Sequence, residues 1–195
     1  RVPVIAGCMD SSTPRVIENV QRLEEMGGTT AVVTPVFYAR HATQGETVRH
    51  FEEISKNTNA NLMIYNIPPF TGQNLTADTS SDFLVHQGGR NVAVPSMLMG
   101  ADGYIPSLAP LFPQAHLKLY EYGKAGDIEN AMKWGAIVDE ICKLYPMAKS
   151  QTASTKYAMS TLGFVDKRVC QPTEPITEEE MKRIDAHIEK LRQYM

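Results

Sequence analysis

The feature that most constrains the fold is a repeated alternation of short apolar runs with amphipathic segments. Three runs rich in apolar and β-branched residues, 2–6, 30–34 and 62–65, are each followed by a loop and the start of a helical pattern. Strands that alternate with helices pair in parallel through right-handed crossovers. The sequence therefore predicts an α/β fold with a parallel sheet, either an open doubly wound sheet or a closed barrel.

The helices between these strands are recognisable from their starts and their apolar faces. Thr13 as N-cap, followed by Pro14, predicts the first helix, which Gly27 and Gly28 end. A second helix is expected over 46–56. The predicted inward faces are Val16, Ile17, Val20 and Leu23 in the first helix, and Val48, Phe51 and Ile54 in the second.

The alternation breaks after Thr79. A helix expected to begin at Thr76 has only a few residues before Ser80, and residues 83–87 already have the pattern of the next strand. A parallel crossover needs at least about 10–12 residues, and a full βαβ unit takes about 30. We therefore predict that a segment is absent between Thr79 and Ser80.

Beyond the break the pattern resumes and ends in helices. The expected elements are helices over 91–99, 108–122 and 127–144 and a strand over 103–105. Two more helices close the chain, and Thr177 with Glu180 predicts a capping box at the start of the last one. Its apolar seam is Met181, Ile184, Ile188 and Leu191. No linker or change of composition marks a boundary, so residues 1–195 are expected to form a single domain.

Composition narrows the classes of function. The net charge of -3, with scattered positive residues, makes nucleic acid an unexpected partner. No run approaches the ~20 apolar residues of a membrane span, and the start at Arg1 lacks a signal-peptide layout, so we expect a cytoplasmic protein without membrane contact. Arg1 is not an initiator methionine, which favours a missing N-terminal portion. The spacing of the cysteines and histidines predicts neither a disulfide framework nor a metal site.

Tyr65 is the first candidate for chemistry. It ends a predicted strand, and Pro68 and Pro69 follow in a stretch that cannot continue a strand ladder. A phenol at the carboxyl end of a parallel strand can relay protons to a carbonyl group if a neighbour lowers its pKa. From position alone, a core tyrosine with a hydrogen-bonded hydroxyl is the stronger interpretation.

Motifs at several strand ends favour the proton-relay interpretation of Tyr65 over the core-tyrosine one. The most specific is Ile64-Tyr65-Asn66-Ile67-Pro68 followed by Thr71-Gly72. Together with residues 2–7, 32–35, 87–89 and 100–105, it resembles the pyruvate-dependent Schiff-base lyases typified by dihydrodipicolinate synthase and N-acetylneuraminate lyase. The resemblance implies a (β/α)8 TIM barrel with extra C-terminal helices. It also implies that this barrel is incomplete, because the first, second and sixth strands have no counterpart here.

The resemblance assigns roles to residues near the fifth strand. Tyr65 would be the proton-relay tyrosine, and Tyr38 would add a second hydroxyl from a loop that neighbouring subunits exchange. Phe70 and Thr71 would contact substrate. Phe70 stands where dihydrodipicolinate synthases place an arginine that holds a carboxylate, and a phenyl ring cannot form that bidentate pair. This departure argues against the lysine-biosynthesis reaction.

The resemblance also assigns roles to residues near the seventh and eighth strands. Gly88 and Ile105 would line the pyruvate pocket, and Arg90 and Asn91 would lie on the rim that faces the aldehyde. Without the resemblance, Asn91 is a helix cap and Arg90 a solvated cation.

The imine-forming lysine would belong to the sixth strand, inside the break. Such a lysine must be desolvated to be neutral near pH 7, and the ten lysines of the chain fall in predicted helices, at helix edges or in a charged turn. The resemblance implies a class I lyase or aldolase that acts on a 2-keto acid, with pyruvate as the common fragment and no cofactor. Its implied partners are a keto acid, an aldehyde and further copies of the chain in a dimer or tetramer. A dehydratase or synthase on the same scaffold, or a non-catalytic paralogue without the lysine, are the alternatives.

Overall fold

The strands predicted in the first half of the chain pair in parallel. The computed structural model describes residues 2–73, 75 and 84–195, and the chain divides into two units, residues 1–83 and 84–195. The elements of the first unit are β1 (Ala6–Gly7), α1 (Thr13–Glu25), β2 (Thr30–Val33), α2 (Gln44–Asn57), β3 (Asn61–Ile64) and α3 (Pro68–Thr71). The sheet order is β1-β2-β3. The helix expected to begin at Thr76 lies outside the described residues.

Strand β1 is much shorter than predicted. Only Ala6 and Gly7 lie opposite residues of β2, where they pair with Ala31 and Val32. Val2 is 83% exposed, so the prediction of a buried strand over residues 2–6 is wrong. The preceding residues have no described strand beside them, and an apolar run without a ladder partner does not form a strand.

The core of the first unit lies between its sheet and the helices α1 and α2. Val16 and Val20 of α1 are fully buried, as predicted, and Phe51 and Ile54 of α2 pack into the same cluster. Val48 is only half-buried, because the buried face of α2 runs through Thr47, His50, Phe51 and Ile54. These four positions follow the helical period.

The starts of both helices differ from the prediction. Ser12 rather than Thr13 precedes α1, and Thr13 is the first helical residue. Helix α2 begins with a capping box that the sequence reading missed, in which Thr43 accepts from the Glu46 amide at 3.2 Å and Glu46 accepts from the Thr43 amide at 3.3 Å. These changes release the Thr13 hydroxyl for a contact with α2 that is described below.

The second unit is mainly helical. Its elements are β4 (His86–Gln87), α4 (Ala93–Leu98), β5 (Gly103–Tyr104), α5 (Pro113–Lys124), α6 (Ile128–Cys142), α7 (Gln151–Thr161) and α8 (Glu178–Leu191). Short 3-10 turns cover Arg90–Val92, Tyr145–Met147 and Arg192–Tyr194. Strands β4 and β5 pair in parallel, with His86 opposite Gly103.

Helix α5 begins later than predicted. Leu108 and Leu111 are buried as an inward face would be, but they belong to turns, and the helix starts at Pro113. A residue before proline is excluded from helical backbone angles, and Phe112 accordingly has φ -132° and ψ 59°. The prediction that the helix begins at Leu108 is therefore wrong.

The last helix confirms its prediction. Thr177 accepts a hydrogen bond from the Glu180 amide at 3.3 Å, and the Glu180 carboxylate accepts from the Thr177 amide at 2.9 Å. Ile184, Ile188 and Leu191 are buried in the core of this unit. Hydrogen bonds to the Thr177 and Lys149 amides hold the pKa of the Glu180 carboxyl below its usual range.

The cysteines are free thiols, buried at Cys8 and Cys142 and exposed at Cys170. In the part of the chain that the structure describes, no group of three or more histidine, cysteine or acidic residues is placed to hold a metal ion. No described helix combines the length and the apolarity that crossing a membrane requires.

Candidate active site

Tyr65 lies at the carboxyl edge of the first unit's sheet. It follows β3 directly, and its amide donates to the Val33 carbonyl at 2.7 Å, which continues the ladder by one hydrogen bond. The residue is 45% exposed. The interpretation of Tyr65 as a core tyrosine is therefore wrong. Its position is that of a residue presented by a strand end, which is where parallel α/β folds place reacting groups.

His50 of α2 anchors the loop after β2 to α1 and α2. Its Nε2 lies 3.1 Å from the Thr34 carbonyl, and its Nδ1 lies 2.9 Å from the Thr13 hydroxyl. Burial lowers the pKa of His50, so the ring is neutral near pH 7. Because a carbonyl only accepts, Nε2 carries the proton, and Nδ1 accepts from Thr13. This arrangement fixes where the loop leaves the sheet.

Gln73 ties the loop after β3 to the loop after β2. Its side-chain amide donates to the Val36 carbonyl at 2.7 Å, and its side-chain oxygen accepts from the Thr47 hydroxyl at 3.3 Å. Thr71 is buried, and its hydroxyl donates to the Ile67 carbonyl at 3.2 Å. The Thr71 hydroxyl, predicted to contact substrate, thus stabilises the turn that follows Tyr65.

Phe70 lies in the short helix α3, and Tyr38 lies in the loop after β2. Phe70 is 81% exposed and Tyr38 is 97% exposed. Tyr38 has a φ of 71°, a left-handed value that residues other than glycine seldom adopt. Gly72 also has a positive φ, and a Cβ built there would come within 2.4 Å of the Arg40 guanidinium carbon. A guanidinium group therefore covers the turn two residues after Phe70.

In the second unit, Gly88 and Ile105 lie across from each other after β4 and β5. The Ile105 amide donates to the Gln87 carbonyl at 2.9 Å, and a Cβ built on Gly88 would lie 3.7 Å from the Ile105 carbonyl oxygen. Both residues are exposed. The structure thus brings these two predicted site residues together at one sheet edge.

Arg90 is exposed, as expected, and hydrogen bonds also hold its guanidinium in place. It begins the 3-10 turn after β4, and its Nε donates to the Asn91 side-chain oxygen at 3.2 Å. Its Nη1 donates to the Cys142 carbonyl at 3.2 Å, and its guanidinium carbon lies 5.1 Å from the centre of the Tyr145 ring. Asn91 is the second residue of the turn and does not cap it, so the interpretation of Asn91 as a cap is wrong.

Ser107 and Tyr145 were missed by the sequence reading. The two hydroxyls are hydrogen-bonded to each other beside Arg90. Tyr145 lies 55 positions from Arg90 along the chain, in a turn that closes α6. No local pattern marks such a contact. The only available signal was that Ser107 follows a predicted strand end.

The lysines lie away from the strand ends. All ten fall within the described residues, and none directly follows a strand. Hydrogen bonds to carboxylates raise the pKa of Lys56, Lys118 and Lys149, which are paired with Glu53, Glu121 and Glu174. Imine formation needs the opposite shift.

Comparison with known proteins places this geometry in a family. The sequence model described as the Dihydrodipicolinate synthetase family matches residues 1–81 and 76–191. The chain belongs to this family. A dihydrodipicolinate synthase from Acinetobacter baumannii, solved in complex with pyruvate, superposes with a TM-score of 0.86 at 23% identity, over 100% of this chain and 76% of that one. That likeness shows the (β/α)8 fold.

Curated relatives extend over much of the chain. The 4-hydroxy-tetrahydrodipicolinate synthase of Azobacteroides pseudotrichonymphae is 24% identical over 94% of this chain and 72% of its own length. An uncharacterized DapA-like lyase of Thermococcus kodakarensis is 25% identical over 86% of this chain and 68% of its own. Relatives in this family thus carry the names of lyases and synthases.

The alignment lengths show that a relative has positions with no counterpart in this chain. The match with the Azobacteroides synthase extends over 217 residues, whereas 94% of a 195-residue chain is about 183, so about 34 aligned positions of the relative have no residue here. A βαβ unit takes about 30 residues. The two matched segments of the family model meet at residues 76–81, the region of the predicted break.

Proposed function

We propose that the protein is a Schiff-base lyase that acts on a 2-keto acid, with pyruvate as the common fragment and Tyr65 as the proton relay. The observation that carries the proposal is the placement of Tyr65 directly after β3, half-exposed at the carboxyl edge of a parallel sheet. Membership of the dihydrodipicolinate synthetase family supports it.

The chemistry explains why a phenol is needed at that place. A lysine amine attacks the keto carbon, and the carbonyl oxygen must gain protons before it leaves as water. The same proton path runs in reverse when the product imine is hydrolysed. A tyrosine that is fixed by its backbone to β2 and open to the mouth of the sheet can give and take these protons without moving.

We further propose that the lysine belongs to a segment that this sequence lacks. The excess of about 34 positions in the relative matches the length of one barrel step, which takes about 30 residues. The meeting of the two matched family segments at residues 76–81 supports the same position. The placement of all ten lysines away from the ends of the described strands argues against a catalytic role for any of them.

Two further roles are proposed within the first unit. Tyr38 would supply a second hydroxyl to a neighbouring copy in a dimer or tetramer, which its 97% exposure and left-handed backbone support. Phe70, 81% exposed on the turn after Tyr65, would present an apolar wall to the substrate.

Two roles are proposed within the second unit. Gly88 and Ile105 would contact the keto acid through their backbones, since Gly88 offers no side chain there and both residues are exposed beside each other. Asn91 would lie on the rim, where its side chain orients Arg90.

Borohydride reduction in the presence of pyruvate tests the proposal on the protein expressed from its natural gene. Mass spectrometry should show a covalent adduct on one lysine, since borohydride reduces an imine to a stable amine. Tyr65→Phe should slow imine formation by about 100-fold or more, the usual contribution of a positioned proton donor. Phe164→Tyr, which changes an exposed ring that has no proposed role in the reaction, is the control and should leave the rate within a small factor.

A non-catalytic paralogue is the second candidate, because Lys56, Lys118 and Lys149 are paired with carboxylates and no lysine directly follows a described strand. It predicts a soluble natural protein with the 21.7 kDa mass of these residues and no adduct at saturating pyruvate. That pair of results would exclude the lyase. An adduct on a longer polypeptide would exclude the paralogue.

A further inference from the structure

We propose that Arg90, Ser107 and Tyr145 form a binding site for the carboxylate group of a small organic acid. Arg90 and Ser107 each lie three residues after the carboxyl end of a strand, β4 and β5, and Tyr145 contacts both of them. This edge is where parallel α/β folds bind ligands. The assignment of this acid as the second, aldehyde-bearing substrate rests on the proposed function. The anion site itself does not.

The guanidinium of Arg90 is fixed before any ligand arrives. One hydrogen bond to Asn91, one to the Cys142 carbonyl and the ring of Tyr145 hold its plane in one orientation. These contacts use the Nε–H and one Nη1–H, which leaves the second Nη1–H and both Nη2–H groups to donate to a carboxylate. A donor held in place loses little freedom when it binds.

The charge of Arg90 is not compensated by an acidic neighbour. The other arginines of this unit, Arg168, Arg183 and Arg192, each pair with a carboxylate within the described residues, at 3.2, 3.2 and 2.9 Å. Arg90 has no carboxylate within salt-bridge distance in the described parts of the chain. An arginine that only fastened a turn would gain from such a partner, whereas an anion-binding arginine must remain free for its ligand.

The paired hydroxyls add a second donor. When one of the hydroxyls of Ser107 and Tyr145 donates to the other, one O–H hydrogen is left to point elsewhere. Burial raises the pKa of Tyr145 above its usual value, so this hydroxyl stays protonated at neutral pH. A guanidinium fork with an adjacent hydroxyl donor is complementary to the two oxygens of a carboxylate.

Nuclear magnetic resonance on the natural protein tests the site, with acetate as the probe and acetamide as its neutral counterpart. At constant ionic strength, acetate should shift the Arg90 Nε–H and Ser107 amide signals to saturation, and acetamide should not. Arg90→Met should weaken acetate binding at least about tenfold, the ratio that corresponds to loss of a hydrogen bond to a charged group. Arg90→Lys, which keeps the charge and loses the fork, should fall between the two.

Two further variants keep the test decisive. Arg183→Met is the matched control, because Arg183 also donates to a backbone carbonyl, that of Met147 at 3.1 Å, but pairs with Glu179. It should leave the acetate affinity unchanged. Ser107→Ala leaves the contacts of Arg90 intact and should still weaken binding, so the test survives if Arg90→Met disturbs the fold.

The outcomes separate this proposal from the proposed function. Equal shifts with acetate and acetamide, or unchanged affinity in both Arg90→Met and Ser107→Ala, would overturn the anion site. A pyruvate adduct on a protein that does not bind acetate removes this site and leaves the lyase. Saturable acetate binding without an adduct leaves the site and removes the lyase.

Discussion

His116 gives a prediction that follows directly from its surroundings. Its imidazole is 3% exposed on α5, its ring centre lies 5.7 Å from that of Tyr104, and neither ring nitrogen has a hydrogen-bond partner among the described residues. Burial lowers the pKa of His116 from 6.5 to about 4. The folded protein therefore binds a proton on the His116 imidazole less readily than the unfolded chain does.

The direction and size of the pH effect follow from linkage. Between pH 6.5 and 4 the unfolded chain binds more protons than the folded one, so stability that is present above pH 6.5 is lost as the pH falls towards 4. At about 1.4 kcal/mol for each pKa unit, a change from pH 7.5 to 4.5 should cost about 2.5 kcal/mol through this residue alone. His116→Leu removes that loss while keeping the site apolar and filled.

The measurement is the free energy of unfolding in urea at both pH values, for the wild type and for His116→Leu. The single tryptophan, Trp134, lies in α6 of the same unit, so its fluorescence reports on the relevant transition. Taking the difference between the two proteins cancels the titration of other groups. Tyr104→Phe is the control and should keep the wild-type pH loss. If His116→Leu loses as much stability as the wild type, the account of His116 is wrong.

Three further predictions concern stability. Gly72→Ala should lower the free energy of unfolding by about 1 kcal/mol, because alanine is strained at a left-handed φ. Gly27→Ala, which has a positive φ and open surroundings, should cost the same. The two costs should be equal because Arg40, which lies over Gly72, is exposed and can move aside. A much larger loss at Gly72 in urea unfolding would contradict this. Thr177→Ala should cost about 1 kcal/mol by removing a helix cap, measured by thermal unfolding. Tyr104→Phe should not destabilise the protein at neutral pH, since the buried Tyr104 hydroxyl has no partner among the described residues. Tyr157→Phe should cost about 1 kcal/mol, because it removes the hydrogen bond to the Asp185 carboxylate.

Local patterns were sufficient for the helices that carry their own signals. The faces of α1 and α8 were predictable because apolar residues recur with the helical period, and the cap at Thr177 because its partner lies three residues away. The parallel pairing of β2 with β3 followed from the helix between them. The length of β1 was overestimated, because it depends on the register with β2, and the sequence of one strand does not determine that register.

The candidate site was predictable only in part, and for a similar reason. The position of Tyr65 at a strand end was predictable because its motif is contiguous and follows an apolar run. The restraint on Arg90 was missed because its partners, Cys142 and Tyr145, lie more than fifty positions away in the sequence. Thr71 was assigned to substrate because sequence shows the hydroxyl but not the Ile67 carbonyl that it donates to.

The most direct test of the central claim is to locate the lysine that pyruvate modifies. Borohydride-trapped natural protein is digested, and the adduct peptide is sequenced by mass spectrometry. The account predicts a lysine that is absent from these 195 residues, in a peptide joined on one side to the sequence that ends near Thr79 and on the other to the sequence that begins at Ser80. An adduct on any of the ten lysines of this chain, Lys124 or Lys143 for example, would contradict it.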